Sequence, residues 1–413
     1  MRVSVFNLGC KVNQYEGDEL IAKLKARGED AFEGFEKADV YIINTCAVTN
    51  EAEKKSRQAI ARARKYNPQA KILVCGCASQ RNGEQFLQLP NVTYVKGVAN
   101  KADVVEHLYD IVASKNVEAL PKIYKESGYS YESNTRANIK ICDGCNNFCS
   151  YCIVPYLRGR TRSRNVEDIK NEFEAVKQNH KEVVLTGIDI SAYGIDIGSN
   201  LTILSKSLGD NVTRIRFGSL EVRVITEEFL IALSENKSFC DHFHLSLQSG
   251  SESVLKRMNR HYKPSEYAKA VEMIRKVYPC AAITTDIIAG FPTETEQEHK
   301  ETLQFAKEIG FSDIHVFEYS IREGTVAASM EQVDDIIKKC RTNDLIELKT
   351  QLKNKYIRSN IGNEMEVLFE ENCGYTSNYI RVYCDGAKEG EKVKVKLIEP
   401  YKDGVKGIII KNR

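Results

Sequence analysis

The sequence predicts an α/β fold in three parts: an N-terminal domain built on a parallel sheet, a central partial (β/α)6 barrel of the TIM type, and a small antiparallel β-barrel at the C-terminus. Strand and helix patterns alternate over residues 1–115, and six further strand–helix units follow within residues 136–345. After a long helical stretch, residues 358–413 switch to short strands separated by turns that contain glycine. These observations predict three domains with those bounds.

The N-terminal domain is predicted from strand-like runs at 2–7, 39–44, 71–75 and 92–95, with helical patterns that include 16–27 and 51–66 between them. Such alternation indicates a parallel sheet with helical crossovers. Cys10, Cys46 and Cys77 each lie just beyond the end of one of the first three strands. Because the carboxyl ends of neighbouring parallel strands converge on one crevice, these thiols are expected to meet and hold a metal cluster.

The alternative to metal binding is that each of these cysteines is a small core residue, since free cysteine is among the most buried residue types. Against that, all three occupy the same place relative to a strand, and each follows a Gly or Thr. Cys75, two residues before Cys77, is expected to lie in the core.

Residues 116–135 have weak periodicity and include Ser127 and Gly128, which predicts a linker.

The central domain is predicted from six strand candidates at 139–142, 182–186, 214–217, 242–247, 283–288 and 314–319. Helical patterns between them include 166–178, 227–233, 265–277 and 296–309. In barrels of this type the chemistry lies at the carboxyl ends of the strands. The loop after the first of these strands is therefore the first place to look for a site.

That loop carries Cys145, Cys149 and Cys152 in the spacing C-x3-C-x2-C. Three thiolates can hold three irons of a [4Fe-4S] cluster and leave the fourth iron open to a ligand, whereas structural zinc sites have four protein ligands. The spacing resembles that of radical S-adenosylmethionine enzymes, in which the methionyl group chelates the open iron. The alternative is a zinc site or a closed cluster, with Cys142 as the fourth thiolate.

Other residues near the strand ends offer the groups that an adenosyl ligand needs: amides or carbonyls for the base, a carboxylate for the ribose and a cation for the ligand's carboxylate. The same residues could merely satisfy the hydrogen bonds of their loops. The candidates are Tyr151, Gly187, Ser219, Glu221, Gln248, Asp286 and Arg322.

A basic strip follows the last cysteine of the loop. Arg158, Arg160, Arg162 and Arg164 alternate with small or neutral residues, and no acid stands between Cys152 and Glu167. In an extended segment the four guanidinium groups share one face, which suits phosphate oxygens. The alternatives are a solvated charge run or a set of ion pairs between domains.

The C-terminal part is predicted from a helix at 330–357 and strand-like segments at 365–369, 379–383, 392–397 and 407–410. Small barrels of this kind often bind nucleic acid. Tyr375, Tyr379 and Arg381 could stack on bases and contact phosphate.

Composition does not indicate a binding partner, but it does indicate the cellular compartment. The chain has 413 residues, 42% hydrophobic and 28% charged, with a net charge of +2, so bulk charge does not indicate a nucleic-acid partner. Thirteen cysteines, together with no leader and no apolar run of membrane length, predict a cytoplasmic protein with no membrane partner whose thiols serve metal.

From end to end, the chain resembles the methylthiotransferase family, with its N-terminal cluster domain, radical S-adenosylmethionine domain and C-terminal TRAM barrel. The run Gly9-Cys10-Lys11-Val12-Asn13 is similar to the branch that acts on N6-threonylcarbamoyladenosine next to the tRNA anticodon. Cys142 and the missing prolines around Arg322 depart from the family's pattern. The other motifs that carry the resemblance are Asn44-Thr45-Cys46, Gly76-Cys77, Asp143-Gly144-Cys145, Leu247-Gln248-Ser249-Gly250 and Gly374-Tyr375-Thr376.

The resemblance implies a tRNA methylthiotransferase with two [4Fe-4S] clusters that uses S-adenosyl-L-methionine both to methylate sulfur and to generate a 5′-deoxyadenosyl radical. The implied partners are the tRNA anticodon stem-loop and an electron donor such as flavodoxin or ferredoxin. The sulfur donor is unknown, and the sequence names no general acid or base. Alternatives are a radical enzyme acting on isopentenyladenosine or a ribosomal-protein aspartate, and a zinc-dependent RNA-binding module.

Overall fold

The N-terminal domain is a six-stranded parallel sheet in the order β2-β1-β3-β4-β5-β6. The structure is a computed structural model that describes residues 1–124, 135–209, 213–371 and 373–410. The elements of this domain are β1 Arg2–Asn7, α1 Lys11–Ala26, β2 Asp30–Glu33, β3 Val40–Thr45, α2 Asn50–Tyr66, β4 Lys71–Gly76, α3 Cys77–Leu87, β5 Val92–Lys96 and β6 Ser114–Asn116.

The four predicted strands of this sheet are confirmed, and two edge strands were missed. The missed strands, β2 and β6, have four and three residues, so they are too short to show a period of two. Half of the predicted linker, residues 125–134 with Ser127 and Gly128, lies outside the described residues.

The central domain has the six predicted parallel strands, which are β7, β9, β10, β12, β13 and β14. They form two sheets, and a bridge between Ile215 and Phe239 joins the edge of one to the start of the other. The elements are β7 Arg136–Asp143, α4 Val154–Arg158, β8 Arg162–Ser163, α5 Val166–Val176, β9 Glu182–Gly187, α6 Leu201–Ser207, β10 Arg214–Phe217, β11 Ser219–Leu220, α7 Glu227–Ser234, β12 His242–Leu245, α8 Glu252–Arg257, α9 Pro264–Val277, β13 Ala282–Ala289, α10 Glu296–Ile309 and β14 Asp313–Glu318.

The two faces of these strands differ in chemistry. Ile139, Val183 and Ile283 belong to the main apolar core, which also takes in residues of the surrounding helices. Lys140 and Glu182, one residue away from core positions, are buried as well, but they make ion pairs. Because side chains alternate across a strand, the charged set faces the inside of the open barrel.

The C-terminal domain is a closed five-stranded barrel in the order β15-β16-β17-β19-β18. It follows the long helix α11 Asp335–Ser359, and its strands are β15 Glu364–Phe369, β16 Gly374–Thr376, β17 Arg381–Tyr383, β18 Lys392–Tyr401 and β19 Gly404–Ile409. Two details differ from the prediction. The three-residue β16 was missed, and β17 pairs with β19 in parallel, whereas all pairs were expected to be antiparallel.

Both outer domains contact the central domain directly. In the N-terminal domain, Glu16 of α1 accepts an ion-paired hydrogen bond of 2.7 Å from Lys140 of β7. From the C-terminal barrel, the carbonyl oxygens of Tyr375 and Ser377 accept hydrogen bonds from Arg214 and Arg216, at 2.8 and 3.0 Å. None of the helices in the described part of the chain combines the length and the apolar character that a membrane crossing requires.

Candidate metal centres

The three N-terminal cysteines meet at one edge of the sheet. Cys10 is the N-cap of α1, Cys46 follows β3 and Cys77 begins α3, so each stands where a strand has just ended. A Cβ atom on Gly9 would lie 2.5 Å from the sulfur of Cys46, and only glycine leaves room for that approach. Burial, with the neighbouring Cys77 and Cys10, raises the pKa of the Cys46 thiol to about 11.

The second set, Cys145, Cys149 and Cys152, lies in the loop between β7 and α4. Burial raises the pKa of Cys152 to about 12, with Cys149 adding to the shift, and burial also raises the pKa of Cys145. Gly144 makes the turn into this loop with φ of 73°, and a Cβ there would lie 2.0 Å from the carbonyl oxygen of Arg160. Burial keeps these thiols protonated without a metal, and binding of a metal displaces their protons.

Each set receives one arginine. The Nε of Arg158 donates to the sulfur of Cys77 at 3.2 Å, and the Nη1 of Arg260 donates to the sulfur of Cys149 at 3.2 Å. Hydrogen bonds from cations to ligand sulfurs stabilise thiolate charge. Sequence reasoning missed Arg260, because it stands 111 residues from Cys149 and no local motif links the two.

Cys142 does not join either set. Its side chain is fully buried in the main core, and its sulfur donates to the carbonyl oxygen of Asp189 at 3.3 Å. The charges that shift its pKa are Asp189, Asp143 and Lys140, with no other cysteine among them. A zinc site completed by Cys142 therefore has no support in the geometry. Cys75 is also buried, as expected, in the core between β4 and its neighbours.

The predicted adenosyl-binding residues split into two groups. Glu221 lies beside the cysteine loop: it accepts a hydrogen bond of 3.1 Å from Asn147 and forms an ion pair of 2.8 Å with Arg260. Ser219 is exposed at the same rim, Gln248 adopts a φ of 68° just beyond β12, and Tyr151 packs in a small apolar cluster below the loop. Their ligand roles stay predictions.

Asp286 and Gly187 have protein neighbours that explain these residue types without a ligand, and their ligand roles stay predictions. Asp286 lies within β13 because that strand continues to Ala289, and its carboxylate is held by His244 at 3.1 Å and His315 at 3.2 Å. Burial opposes ionisation of Asp286, but these two imidazoles hold its pKa well below the usual value. Gly187 is explained by packing, since a Cβ there would lie 2.6 Å from the sulfur of Cys142.

Arg322 was expected to bind the carboxylate of a ligand, and the structure gives it other partners. It is 2% exposed and donates to Asn50, to the carbonyl oxygen of Ala47 and to Glu53, all in the N-terminal domain. These partners lie next to Cys46 in the chain. The guanidinium group therefore joins the loop after β14 to the loop that carries an N-terminal cysteine.

The basic strip is not one phosphate-binding face. Arg158 ends α4, is 1% exposed, and donates to Glu16, Asp143 and Asn13. Arg162 is buried against carbonyl oxygens of its own loop, and Arg164 is buried against Glu172. Of the four, Arg160 is the one whose side chain is exposed; it lies over the ring of Phe148 at 4.3 Å. The alternative of ion pairs between domains holds for Arg158. The expectation of a shared face was wrong because Arg158 belongs to a helix, while buried partners hold Arg162 and Arg164 and leave Arg160 in solvent.

Tyr375, Tyr379 and Arg381 face the central domain. Tyr379 stacks on His242 with ring centroids 4.5 Å apart and lies under Arg216 at 4.8 Å, while Tyr375 receives a hydrogen bond from Arg381 at 2.7 Å. These contacts cover part of the rings, Tyr379 remains 38% exposed, and the expected stacking on bases stays a prediction. The sequence could not show the contacts of Tyr379, because His242 and Arg216 lie more than 130 residues away in the chain.

Lys11 stands inside the space between the domains. It is exposed to solvent, yet desolvation by the surrounding walls, together with the nearby Arg136 and Arg216, lowers the pKa of its ammonium group to about 8. Among the described residues it has no hydrogen-bond or ion-pair partner.

Comparison with known proteins assigns the chain. The pattern of the Radical SAM superfamily matches residues 139–306, and that of an uncharacterized protein family, UPF0004, matches residues 2–97. A threonylcarbamoyladenosine tRNA methylthiotransferase, MtaB of Bacillus subtilis, is 38% identical over 97% of this chain and 95% of its own length. The chain belongs to the radical S-adenosylmethionine methylthiotransferase family.

Further relatives in this methylthiotransferase family carry two names. MtaB of Thermotoga maritima is 37% identical over 98% of this chain and 96% of its own length. A tRNA-2-methylthio-N(6)-dimethylallyladenosine synthase of Thermodesulfovibrio yellowstonii is 33% identical over 99% of this chain and 98% of its own. A solved radical S-adenosylmethionine methyltransferase, TsrM from Kitasatospora setae, matches the fold with a TM-score of 0.57 at 13% identity, covering 79% of this chain and 77% of that one.

The cofactors of this methylthiotransferase family, [4Fe-4S] clusters and S-adenosylmethionine, fit the residues present. Two separate sets of three thiols supply three ligands each, and each set has an arginine that donates to one sulfur. The space beside Cys46 that a Cβ on Gly9 would fill leaves the backbone close to the first set. Three ligands suit a cluster with one open iron.

Proposed function

We propose that this enzyme converts N6-threonylcarbamoyladenosine at position 37 of tRNA, in the anticodon stem-loop, to its 2-methylthio derivative in the cytoplasm. The observation that carries the proposal is a buried side chain that links the surroundings of the two cysteine sets. Arg158 bonds to Cys77 of the first set and to Asp143, two residues before Cys145 of the second. The first set is thus tied to the start of the loop that carries the second. The MtaB name of several relatives supports the choice of nucleoside.

In this proposal Cys10, Cys46 and Cys77 hold one cluster, and Cys145, Cys149 and Cys152 hold the other. When bound, the clusters supply reductive cleavage of S-adenosylmethionine at the second site and a carrier for sulfur at the first. A flavodoxin-like or ferredoxin-like donor provides the electron.

The chain's own residues orient the two sites and shield them from water. Arg260 bonds to Cys149 and pairs with Glu221, so it ties the cysteine loop to the end of β11. Glu221 also holds Asn147, which stands between two of the cysteines. Arg322 fixes the N-terminal loop that follows Cys46. Such cross-links keep both reacting centres at a constant separation, which is the condition for coupling two steps on one substrate.

The test is a pair of triple variants of the anaerobically reconstituted protein. Wild type is expected to hold about eight irons, from two cubes. Alanine at Cys145, Cys149 and Cys152 should halve the iron and abolish cleavage of S-adenosylmethionine. Alanine at Cys10, Cys46 and Cys77 should also halve the iron but spare cleavage, while no methylthio product forms. Cleavage that survives the first replacement contradicts the assignment of the sites.

The substrate is tested separately by mass spectrometry of nucleosides from tRNA of cells that lack the protein. We expect loss of the 2-methylthio form of threonylcarbamoyladenosine and its return with the wild-type gene. Loss of 2-methylthio dimethylallyladenosine instead would support the second name found among the relatives. No change in either nucleoside, with altered ribosomal protein, would place the enzyme in a different branch.

A further inference from the structure

Beside the first cysteine set lies a cation, Lys11, to which no other described residue offers an ion pair or a hydrogen bond. Lys11 follows Cys10 directly, at the start of α1, and is exposed to solvent. The charged groups around its ammonium are Arg136, Arg216 and Glu182, which belong to β7, β10 and β9. Lys11 therefore projects from the N-terminal domain toward the interior of the central barrel.

The charge at this place is positive. The carboxylate of Glu182 already forms two ion pairs, at 2.8 Å with Arg136 and 3.0 Å with Arg216. Glu370 approaches Arg136 from the C-terminal barrel at 3.4 Å, and neither acid makes a contact with Lys11. His242, also near Lys11, is buried and its pKa is well below the usual value, because burial and Arg216 disfavour its charged form. A solvent-accessible space with a surplus cation suits an anionic ligand.

The geometry of adenine indicates which anion arrives there. C2 and N6 flank N1 on one edge of the base, so a group attached to N6 lies beside C2. If C2 faces the first cysteine set, the N6 substituent faces the neighbours of those cysteines, and Lys11 is the residue bonded to Cys10. The threonylcarbamoyl group ends in a carboxylate, whereas the dimethylallyl group named in other relatives is apolar.

We propose that Lys11 recognises the threonyl carboxylate of the N6 substituent and so selects this nucleoside over apolar N6-modified adenosines. This inference rests on the proposed function. Arg136 and Arg216 are held by Glu182 and contribute positive potential, while the mobile lysine ammonium makes the direct ion pair. An ion-paired hydrogen bond in a partly desolvated site is worth enough to discriminate about tenfold between a carboxylate and a neutral analogue.

The experiment measures binding of synthetic anticodon stem-loops to the reconstituted full chain. The stem-loops carry threonylcarbamoyladenosine, its threonine carboxamide analogue, or dimethylallyladenosine. Wild type should prefer the carboxylate to the carboxamide roughly tenfold. Lys11→Gln should lose that preference, and Lys11→Arg should keep it. Lys54→Gln, an exposed lysine on α2, serves as the control and should match wild type. Iron content and the visible spectrum verify that each variant holds its clusters.

Several results would overturn the proposal. One is a wild-type protein that binds the carboxylate and the carboxamide equally. Another is a Lys11→Gln variant that retains the preference. A third is a uniform loss of affinity for all three stem-loops in Lys11→Gln, which would show that Lys11 contacts a phosphate. Failure of the wild-type enzyme to modify the threonylcarbamoyl stem-loop at all is a different result, because it contradicts the proposed function itself.

Discussion

Arg158 was expected to contact phosphate, but in the structure it is part of a buried network of ion pairs. Its guanidinium group is fully buried and shared among Glu16, Asp143, Asn13 and the sulfur of Cys77. Burial opposes charge here, but Glu16 and Asp143 are held ionised, with the pKa of Glu16 well below its usual value. Removing one partner of such a network leaves buried charges without compensation, which costs far more than losing a surface ion pair.

We expect Arg158→Gln to destabilise the folded protein by about 3 kcal/mol, because two buried carboxylates each lose one cationic partner, although Lys140 still pairs with both. Arg160→Gln, two residues away and exposed, should cost about 1 kcal/mol or less, since it loses only a contact with the ring of Phe148. Urea unfolding of both variants measures this difference.

The same pair tests contact with RNA. Arg160→Gln should reduce the slope of log affinity against log salt for tRNA by roughly 0.7–0.9, if it contacts one phosphate, and Arg158→Gln should leave that slope unchanged. If the two substitutions changed the free energy of unfolding equally and the salt dependence of tRNA affinity equally, the assignment of Arg158 as buried and structural and Arg160 as exposed and RNA-binding would be wrong.

At the scale of elements, Glu182 joins three neighbouring strands of the barrel. It lies at the start of β9, is fully buried, and pairs with Arg136 of β7 and Arg216 of β10. Burial raises its pKa, but Arg216 and Arg136 outweigh burial and lower the pKa to about 2. A carboxyl group with a lowered pKa in the folded state stabilises the protein above its unfolded pKa, and that stability is lost as pH falls toward the folded pKa.

We therefore expect Glu182→Gln to be less stable than wild type at pH 7, by about 3 kcal/mol. The difference should narrow as pH falls from about 5 toward 2, because wild type loses its charged carboxylate in that range. Urea unfolding of both proteins across this range measures the gap. Glu174→Gln, an exposed acid on α5 paired with Lys177, is the matched control and should show no such convergence. A constant gap at all pH values would show that Glu182 acts through packing rather than charge.

At the scale of the whole molecule, the N-terminal domain is fixed to the central domain at the ends of their strands. Arg322 donates to Ala47, Asn50 and Glu53, and Asn50 in turn bonds to the loop after β14 through Ser320 and Ile321. Arg81 adds a pair of 3.1 Å with Glu323. These contacts hold the loop after Cys46 against the barrel, which sets the separation between the two cysteine sets.

Arg322→Gln should therefore uncouple the two half-reactions. Cleavage of S-adenosylmethionine is expected to continue at a rate close to wild type, while methylthio product falls roughly 100-fold, because a small displacement of one centre is enough to misalign the reaction. The measured quantity is the ratio of 5′-deoxyadenosine to methylthiolated nucleoside. Arg64→Gln, exposed on α2, is the control. If cleavage instead fell together with product while the cluster stayed intact, Arg322 would act on the ligand carboxylate, as the sequence suggested.

The C-terminal barrel presents a different face to solvent from the one expected. Tyr383 and Tyr401 meet edge to face at 5.3 Å, and Lys402 lies 5.1 and 5.2 Å from their ring centroids. Tyr401 is 42% exposed, while Tyr375 faces the central domain. An aromatic pair with a cation beside it is suited to stacking on an unpaired base.

We expect Tyr401→Ala to weaken tRNA binding by about 1–3 kcal/mol without changing cleavage of S-adenosylmethionine. Filter binding or fluorescence anisotropy with tRNA measures the first, and 5′-deoxyadenosine formation the second. Tyr66→Ala, an exposed tyrosine at the end of α2, should bind tRNA as wild type does. An unchanged affinity in Tyr401→Ala would remove this face of the barrel from the RNA interface.

The sequence by itself determined the longer strands and helices, the parallel sheet and the two barrels, and the two sets of cysteines, but not the short strands β2, β6 and β16. These follow from local information: hydrophobic period, the spacing of Cys145, Cys149 and Cys152 within eight residues, and the rule that neighbouring parallel strands end at one edge. The same rule brought Cys10, Cys46 and Cys77 together although they are far apart in the chain.

Only the tertiary structure decided which charged and aromatic side chains are free to meet a ligand. Arg158, Arg322 and Tyr379 find their partners in other domains, at sequence separations above 130 residues, so no local pattern distinguishes them from exposed residues of the same type. Arg260 and Lys11 were recognised only in the structure, because their neighbours in space are also distant in the chain. The position of a side chain in a strand fixes which face it is on, but the docking of domains decides whether that face meets water, a partner charge or a cavity.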